Sequence, residues 1–326
     1  MKVVCLPGDG IGAEVTAAAQ DVLAVLAPDL ELEDHLFGGA AILATGTPCP
    51  DETRDACLAA DAVLLGAVGL PQFDAADVRP EQGLLAIRKA LDVYANLRPA
   101  RQGTTDLMVV RELVGGLYFG EKGTRADGTV FDTCEYHPSQ VERIARRGFE
   151  IARGRRRRVA SVDKANVLET SRLWRRVVTE VAADYPDVEL EHLLVDSVAM
   201  RLVTDPEHFD VILTENTFGD ILSDEASALT GGLGLAASAS LGDNGPGIFE
   251  PVHGSAPDIA GLGIANPAAM LRSTALMLDH GLGRPEDAQR LTAAVDTALE
   301  EAPTPDLGGT ATTADMTAAV VEALAR

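Results

Sequence analysis

Two carboxylates lie four residues apart in the segment Phe218-Gly219-Asp220-Ile221-Leu222-Ser223-Asp224. If this segment is helical, Asp220 and Asp224 project from the same face of the helix, about one turn apart. Mg²⁺ and Mn²⁺ prefer oxygen ligands and often keep water or substrate oxygens in their remaining coordination positions. The spacing therefore predicts an open site for a divalent cation, with a solvated helix face as the alternative.

Further charged residues stand directly beside apolar runs, where a charge needs a partner. They occur in three short segments, namely Val195-Asp196-Ser197, Val162-Asp163-Lys164-Ala165-Asn166 and Val110-Arg111-Glu112. These segments favour a functional site over a solvated helix face as the interpretation of the two aspartates.

Composition and charge limit the classes of protein to which this chain can belong. Its 326 residues and hydrophobic content of 46% suffice for one large or two ordinary domains with real cores. A formal net charge of −23 opposes binding to nucleic acid and to anionic membranes. No apolar stretch reaches the roughly 18 residues that span a bilayer, and the N-terminus lacks a signal-peptide pattern. We therefore expect a globular, cytoplasmic protein without nucleic-acid or membrane partners.

The cysteines and the longest run of arginines predict no separate site. Cys5, Cys49, Cys57 and Cys134 show no close metal-ligand spacing and are too sparse for a disulfide scaffold, so reduced thiols are expected. The basic run Arg153-Gly154-Arg155-Arg156-Arg157-Arg158 lies between a helical pattern and a strand-like segment. We interpret this run as a solvated connection.

Short apolar strands alternate with amphipathic helices along the chain. Apolar residues at helical spacing predict helices over residues 13–26 and 83–91. The predicted strands cover residues 1–6, 61–65, 106–111, 158–163 and 209–214. This alternation predicts an α/β fold whose sheet is largely parallel.

The turn Gly8-Asp9-Gly10-Ile11-Gly12 follows a strand and opens a helix, as a dinucleotide-binding turn does. The fingerprint G-x-G-x-x-G nevertheless requires its third glycine one residue later. Glycines also permit a tight strand-to-helix turn without any ligand. A conventional Rossmann fold is therefore not predicted.

Six motifs occur in the order found in one enzyme family. They are Pro7-Gly8-Asp9-Gly10-Ile11-Gly12, Asn96-Leu97-Arg98-Pro99, Arg111-Glu112 with Tyr118-Phe119-Gly120-Glu121, Asp163-Lys164-Ala165-Asn166, the segment from Phe218 to Asp224, and Glu250-Pro251-Val252-His253-Gly254-Ser255-Ala256-Pro257-Asp258-Ile259-Ala260-Gly261. Over essentially its whole length the chain resembles the β-decarboxylating dehydrogenases, and most of all those that oxidise 3-isopropylmalate. The resemblance implies a two-domain isopropylmalate dehydrogenase-like fold. Residues 1–98 and 232–326 would form the first domain, and residues 99–231 the second domain and the dimer contact, with the substrate in the cleft between them.

The resemblance also implies an activity, NAD-dependent oxidative decarboxylation of (2R,3S)-3-isopropylmalate to 2-oxo-4-methylpentanoate and CO₂ in leucine biosynthesis. Asp220 and Asp224 of one subunit and Asp196 of the other would hold Mg²⁺ or Mn²⁺, which requires a homodimer. The cation would act as a Lewis acid on the substrate hydroxyl and the adjacent carboxylate. Lys164 would be the general base for the alcohol, and Tyr118 would deliver a proton after decarboxylation.

Substrate recognition follows from the same resemblance. It assigns the two substrate carboxylates to Arg88, Arg98 and Arg111, whose planar guanidinium groups suit bidentate binding. The isopropyl group and its surroundings are assigned to Glu81, Leu84, Leu85 and Val167, with Asp196 also near the substrate. Adjacent leucines form an apolar slot, where relatives that act on isocitrate carry small polar residues. Because one methylene changes binding by about 1 to 3 kcal/mol, side activity on other alkylmalates is expected.

The cofactor is assigned by resemblance to one loop and two outlying residues, namely His253, Gly254, Ser255, Ala256, Pro257, Asp258 and Ile259 with Ile11 and Asn266. A carboxylate at Asp258 can accept hydrogen bonds from ribose hydroxyls and would repel a 2′-phosphate, which favours NAD over NADP. Relatives that use NADP carry Lys-Tyr at these two positions. The small loop residues would let the backbone approach the diphosphate, and Asn266 would contact the adenine.

Two features depart from the family pattern. The segment 99–106 is shorter than in most relatives, which leaves open how the backbone reaches the next strand. Glu215 stands where many relatives have glycine.

Enzymes acting on isocitrate, homoisocitrate, tartrate or other alkylmalates remain alternatives, and a catalytically silent regulatory subunit is the alternative from another class. Loss of the lysine, the tyrosine or a metal aspartate would mark that last case, and all of them are present.

Overall fold

The computed structural model describes residues 1–326, and its strands and helices alternate along the chain. The strands are β1 (Lys2–Gly8), β2 (Glu31–Asp34), β3 (Ala62–Ala67), β4 (Ala95–Gln102), β5 (Thr105–Glu112), β6 (Lys122–Thr124), β7 (Val130–Asp132), β8 (Arg158–Asp163), β9 (Glu189–Leu194), β10 (Val211–Thr214), β11 (Ala237–Leu241) and β12 (Gly247–Pro251). The α-helices are α1 (Gly12–Leu26), α2 (Gly38–Thr45), α3 (Asp51–Ala59), α4 (Pro80–Ala90), α5 (Pro138–Arg153), α6 (Glu169–Ala182), α7 (Val195–Thr204), α8 (Asn216–Leu229), α9 (Ala268–Leu276), α10 (Pro285–Glu301) and α11 (Thr313–Ala325). The predicted helices and strands are all present, with ends shifted by a few residues. Helix α4, for example, begins before residue 83 because Pro80 suits a first helical turn and Gln82 accepts from the Arg79 N–H at 3.3 Å.

The first compact unit comprises Met1–Val93 and Leu233–Arg326. Its strands lie in the order β2-β1-β3-β12-β11. All neighbours in this order are parallel except β11 and β12. Helices α1 and α9 pack on these strands, which explains why β1 and β3 are nearly continuous apolar runs with buried side chains.

The second compact unit comprises Tyr94–Gly232. Its main strands lie in the order β4-β5-β10-β8-β9, and β6 pairs with β7 in a separate hairpin. Only the β4–β5 pair of the main strands is antiparallel. Helix α5 packs with α6. Helices α7 and α8 pack together and contribute to a core that includes Leu107, Ile212 and Leu222. The predicted α/β fold with a largely parallel sheet is confirmed.

The parallel register of β5, β10 and β8 brings the ends of these strands together. Thr214 is opposite Arg111 on one side and opposite Val162 on the other. The residues that follow these positions are therefore neighbours at the carboxyl edge of the strands, which is where open α/β sheets bind ligands. This edge carries Arg111 and Glu112, the start of α8, and the segment after Asp163.

The shortened segment between Pro99 and Asp106 is a tight β-hairpin. Strands β4 and β5 pair along their full lengths up to Gln102 and Thr105, so two residues make the turn. Gly103, the first of them, has φ 59°, as the first central residue of a type II′ hairpin turn requires. The deletion thus leaves both strands, and the arginines on them, in register.

Most of the arginine-rich run before β8 is an exposed connection, as the sequence suggested, and Arg155 is the clearest exception. Arg155 donates to the side chain of Asp210 at 2.9 Å and to that of Asp106 at 2.7 Å, and the Asp210 side chain has no exposed surface. Arg153 pairs with Asp187 at 2.6 Å. Arg155 could not be singled out from the sequence, because its carboxylate partners are distant in sequence and approach only in the folded chain.

None of the helices combines the length and apolar composition needed to cross a bilayer.

Candidate active site

Helix α8 carries the two predicted metal carboxylates, Asp220 and Asp224, on one face. The helix begins at Asn216, where the side chain of the preceding Glu215 accepts a hydrogen bond from the Phe218 N–H at 2.9 Å. Such an N-terminal cap satisfies a donor that has no partner within the helix. Glu215 therefore has a structural role that its position in the sequence alone did not reveal.

Two of the predicted substrate arginines bond these carboxylates within the second unit. Arg111 Nη1 lies 2.5 Å from Asp220 Oδ1, and Arg98 Nη1 lies 3.1 Å from Asp224 Oδ1. Arg98 also approaches Asp220 at 3.5 Å. The arginine side chains are almost buried, at 3% and 11% exposure, whereas Asp224 is 53% exposed. The cluster therefore exposes carboxylate oxygens to solvent, while the arginines that bond them are nearly buried.

Tyr118 joins the same cluster. Its hydroxyl donates to Asp220 Oδ2 at 2.9 Å, and the guanidinium carbon of Arg111 lies 5.8 Å from its ring centroid. Burial, followed by the charge of Asp220, raises the pKa of Tyr118 to about 12. The phenol consequently keeps its proton near neutral pH and can act as a proton donor.

The electrostatics of Asp224 differ from those of an exposed acid. Partial burial raises the pKa of the Asp224 carboxyl, and Arg98 partly opposes that rise. The nearby Asp220 charge raises the same pKa further, because two like charges share one helix face. A bound cation would relieve this repulsion.

Lys164 and Asp196 form an ion pair through Nζ and Oδ1, separate from the contacts of α8. The Lys164 ammonium holds the pKa of the Asp196 carboxyl below its ordinary value. The general base that the resemblance implies is therefore in contact with a carboxylate. No group of three or more His, Cys, Asp or Glu side chains is close enough within one copy of the chain to share a metal ion.

The segment that carries Lys164 is held from two directions. The Lys164 N–H donates to Ser171 Oγ at 3.0 Å. The buried carboxylate of Asp163 accepts from the Ala165 N–H at 2.9 Å and from two nitrogens of Arg175 at 2.8 and 2.9 Å. This anchoring fixes the backbone on both sides of the lysine and leaves its side chain 27% exposed.

In the first unit, the β1–α1 turn contacts the predicted cofactor loop. The Ile11 N–H donates to Ser255 O at 2.8 Å, and Ser255 Oγ donates to Gly69 O at 2.5 Å. The Gly69 N–H in turn donates to the buried carboxylate of Asp9 at 2.9 Å. A Cβ on Gly10 would lie 1.9 Å from Ser255 O, so only glycine allows this approach. Ile11 and Ser255 are thus brought together, and Asp9 is an organising residue that sequence reasoning did not assign.

Within the cofactor loop, His253 has a polar atom that the protein leaves unsatisfied. Nδ1 lies 2.9 Å from Gly254 O, while Nε2 is buried without a hydrogen-bond partner. Burial lowers the pKa of His253, which favours the neutral ring. A Cβ on Gly254 would meet no atom within 4 Å, and Ala256 has φ 36°. An orphaned nitrogen beside open backbone fits a ligand that supplies the missing partner.

The remaining predicted cofactor residues are spread along this unit. Pro257 and Asp258 are exposed and Ile259 is partly exposed, so the Asp258 carboxylate is accessible to a ribose. Asn266 is nearly buried, where its amide donates to Asp306 Oδ2 at 3.0 Å and accepts from the Ala268 N–H at 2.9 Å. The Asn266 side chain is therefore oriented before any ligand binds.

Arg88, the third predicted substrate arginine, lies in the first unit. Its Nη2 donates to Glu250 Oε1 at 2.6 Å, with both side chains 11% exposed, and its Nε is buried without a partner. On the same helix, Leu84 and Leu85 are partly exposed and Glu81 is exposed. Val167, in the second unit, is 62% exposed. Glu250 was missed as a partner of Arg88, although it opens the motif that carries the cofactor loop.

Comparison with known proteins gives consistent results. A family model described as isocitrate/isopropylmalate dehydrogenase matches residues 2–320. The chain is 52% identical to a 3-isopropylmalate dehydrogenase of Oceanobacillus iheyensis over 318 residues, covering 91% of this chain and 87% of the relative. It is also 52% identical to a 3-isopropylmalate dehydrogenase of Zymomonas mobilis over 348 residues, covering 99% and 100%.

Solved structures show the same relationship. The isocitrate dehydrogenase of Methylococcus capsulatus matches with a TM-score of 0.93 and 38% identity, covering 100% of this chain and 99% of the other. A β-decarboxylating dehydrogenase of Thermococcus kodakarensis matches with a TM-score of 0.87 and 39% identity, covering 99% and 96%.

Proposed function

The chain belongs to the isocitrate/isopropylmalate dehydrogenase family, and we propose that it oxidises and decarboxylates (2R,3S)-3-isopropylmalate to 2-oxo-4-methylpentanoate and CO₂ with NAD. This reaction belongs to leucine biosynthesis. Relatives named for this activity match nearly the whole chain at about half identity. The observation that carries the proposal is the cluster on α8, which joins two arginines, two carboxylates and a protonated tyrosine.

The donor set on α8 fits a hard divalent cation, Mg²⁺ or Mn²⁺. Asp220 and Asp224 offer only oxygen ligands, from one helix face, and two carboxylates leave positions for further oxygens. When bound, such a cation supplies Lewis-acid polarisation of the substrate hydroxyl and stabilises negative charge that develops on the adjacent carbon. The chain's own contribution is to hold the two carboxylates on one helix face, bonded to the nearly buried Arg98 and Arg111.

A homodimer would complete this site. Because one copy brings no third acid to Asp220 and Asp224, we propose that Asp196 of a second copy does so. Helices α7 and α8 pack together and expose Met200, Val203 and Ile221 at 63%, 61% and 62%, an apolar surface that a second copy would cover. Since Lys164 is paired with Asp196, it would come from the same copy, and each site would combine residues of both.

The arginines would bind the substrate carboxylates. Arg98 and Arg111 are nearly buried and already bond the carboxylates of Asp224 and Asp220. A substrate carboxylate would therefore take the place of an aspartate carboxylate. Arg88 has an unsatisfied buried Nε that a further acceptor would satisfy. Guanidinium groups suit this function because their donors form a rigid fork.

Proton transfer would use Lys164 and Tyr118. Lys164 Nζ would give one proton to the paired Asp196 carboxylate and, as the neutral amine, would then accept the proton of the substrate alcohol. Tyr118, whose pKa is raised to about 12, would then donate its proton to the carbon that loses CO₂. These two roles need opposite groups, a base and an acid, and the two residues are bound to different aspartates.

NAD would bind the loop 253–259, with Ile11 and Asn266. The unsatisfied Nε2 of His253 and the open backbone at Gly254 fit a polar ligand, and the exposed Asp258 carboxylate favours ribose hydroxyls over a 2′-phosphate. When bound, NAD supplies the hydride acceptor. Leu84, Leu85 and Val167 would provide the apolar wall for the isopropyl group, beside Glu81.

Isocitrate is the second candidate substrate, favoured by the similarity to the Methylococcus capsulatus isocitrate dehydrogenase. Initial rates with 3-isopropylmalate, isocitrate, homoisocitrate and tartrate, each with NAD or NADP and with Mg²⁺ or Mn²⁺, would decide. We expect the highest kcat/KM for 3-isopropylmalate with NAD. A higher kcat/KM for isocitrate, or a preference for NADP, would overturn the corresponding part of the proposal.

A further inference from the structure

The first turn of α8 forms a cradle for Arg111. Asn216, Gly219 and Asp220 occupy positions i, i+3 and i+4, which share one helix face, and all three face the arginine. Asn216 Oδ1 accepts from Arg111 Nε at 3.1 Å and from Nη2 at 2.7 Å. Asp220 Oδ1 accepts from Nη1 at 2.5 Å. The guanidinium plane is therefore defined by acceptors on two of its edges.

Gly219 makes room for the stem of this arginine. A Cβ at position 219 would lie 2.6 Å from Arg111 Cγ and 2.8 Å from Arg111 Cβ, closer than real carbon atoms approach. Any side chain at this position would push the arginine stem off the helix. The cradle thus consists of an acceptor, a gap and a second acceptor within one turn.

The amide of Asn216 is itself fixed in one orientation. Its Nδ2 donates to Leu113 O at 3.1 Å and to Gly115 O at 3.0 Å, and the residue has no exposed surface. A flipped amide would turn its donors toward the guanidinium and its oxygen toward two carbonyl groups. The loop that holds Nδ2 is anchored by Glu112, which accepts from the Val114 and Gly115 N–H groups at 3.1 and 2.8 Å.

A second layer supports the start of the helix. The Tyr136 hydroxyl accepts from the Asn216 N–H at 3.0 Å and donates to Glu215 Oε2 at 3.2 Å. Burial raises the pKa of Tyr136, so the phenol stays protonated and can donate. Glu215, the residue that departs from the pattern of many relatives, thereby links the helix cap to this layer.

We propose that Asn216 is a positioning residue that sets the direction of the Arg111 guanidinium for the substrate carboxylate, with Gly219 admitting the arginine stem. The inference rests on the proposed substrate-binding role of Arg111. An arginine whose fork is oriented in advance loses less conformational freedom when the substrate binds. Loss of the Asn216 acceptor would remove the bonds that hold Arg111 Nε and Nη2, and the guanidinium would turn away from the substrate.

The test compares Asn216→Ala and Gly219→Ala in the full-length enzyme. Hydrogen bonds to charged groups are among the stronger ones, so we expect each variant to raise the KM for 3-isopropylmalate by at least about tenfold. The KM for NAD should stay unchanged, because the cofactor loop belongs to the first unit. Calorimetric titration of 3-isopropylmalate in the presence of Mg²⁺ should show the same weakening. Gly219→Ala also improves helix propensity, so it separates a displaced arginine from a weakened helix.

Two controls keep the outcomes distinct. Ser227→Ala removes a buried hydrogen bond on the same helix, from Ser227 Oγ to Ser223 O at 2.8 Å, without touching Arg111, and should leave both KM values unchanged.

Arg111→Lys tests the underlying function and should raise the substrate KM. If Arg111→Lys does so while Gly219→Ala does not, the positioning role is refuted and the proposed function survives. If Arg111→Lys leaves the KM unchanged, the role of Arg111 fails first. Equal rises in both KM values for Asn216→Ala would also refute positioning, and Gly219→Ala decides alone if Asn216→Ala does not fold.

Discussion

Replacing Arg155 with methionine should destabilise the second unit far more than its place in an arginine-rich run suggests. Arg155 Nε lies 2.9 Å from Asp210 Oδ1, and its Nη2 lies 2.7 Å from Asp106 Oδ1 and 2.9 Å from Asp106 O. The Asp210 side chain has no exposed surface, and that of Arg155 is only 21% exposed. Arg155→Met would therefore leave Asp210 buried without its countercharge.

The size of the effect follows from this burial. Removing one partner of a buried ion pair typically costs about 3 to 5 kcal/mol, mostly because a buried charge loses its compensation. Asp210 would keep the Arg158 N–H, which donates to Oδ2 at 3.2 Å, and Arg155 retains some solvent contact. We therefore expect a loss near the lower limit, about 3 kcal/mol.

Urea unfolding followed by tryptophan fluorescence measures this loss in the correct unit. The chain has a single tryptophan, Trp174, which is 1% exposed and lies in the second unit. The matched control is Arg153→Met, because Arg153 pairs with Asp187 while the two side chains are 43% and 38% exposed. We expect Arg153→Met to change stability little, since exposed ion pairs contribute little. Equal losses in the two variants would refute the argument from burial.

Four further outcomes are expected. Lys164→Met should retain cofactor binding but lose hydride transfer, and Tyr118→Phe should chiefly slow formation of the protonated product in single-turnover kinetics; near-normal turnover in both would contradict their roles. Burial raises the pKa of Glu112 from 4.5 to about 7, so its stabilising contribution is complete below pH 4.5 and disappears as the pH rises to about 7. Between these two pH values the free energy of unfolding should fall by an amount on the order of 3 kcal/mol, and Glu112→Gln should abolish this fall. Urea unfolding at both pH values measures it, and an unchanged pH profile in the variant would argue against the role of Glu112. Replacing Asp258-Ile259 with Lys-Tyr should lower kcat/KM for NAD and raise it for NADP. Asp258→Asn should weaken the binding of NAD without raising kcat/KM for NADP. Calorimetry should show tighter Mn²⁺ binding when 3-isopropylmalate is present, and equal affinities would exclude coupling of the two ligands.

The fold could be predicted because its signals are local. Buried parallel strands such as β1 and β3 are short apolar runs, and helices such as α1 repeat apolar residues at helical spacing. Strand ends do not follow from local signals, since they depend on pairing partners: β4 and β5 extend to Gln102 and Thr105 because each strand supplies hydrogen bonds to the other. The path of the shortened segment could be read only from that pairing.

The site residues could be named individually from their motifs, but their pairing could not. Arg111 was expected to bind a substrate carboxylate, yet nothing in the sequence shows that Asn216 and Asp220 already bond it. Both contacts depend on the register that brings the end of β5 beside the start of α8. Glu250 and Asp9 were missed for the same reason, because their partners lie 162 and 60 residues away.

The ion pairs on α8 stabilise the folded site, and in the proposed function they would also couple the binding of the metal to that of the substrate. Arg98 and Arg111 neutralise Asp220 and Asp224 before any ligand arrives, so four nearly buried or crowded charges avoid the cost of standing unpaired. In the proposed site, a dianionic substrate would bind the arginines and a divalent cation would bind the aspartates. Either ligand alone would separate these ion pairs and leave one set of charges uncompensated. With both ligands bound, the arginines would pair with the substrate and the aspartates with the cation. In the proposed site, mutual dependence of the two ligands would thus follow from the ion pairs themselves, without any movement of the backbone.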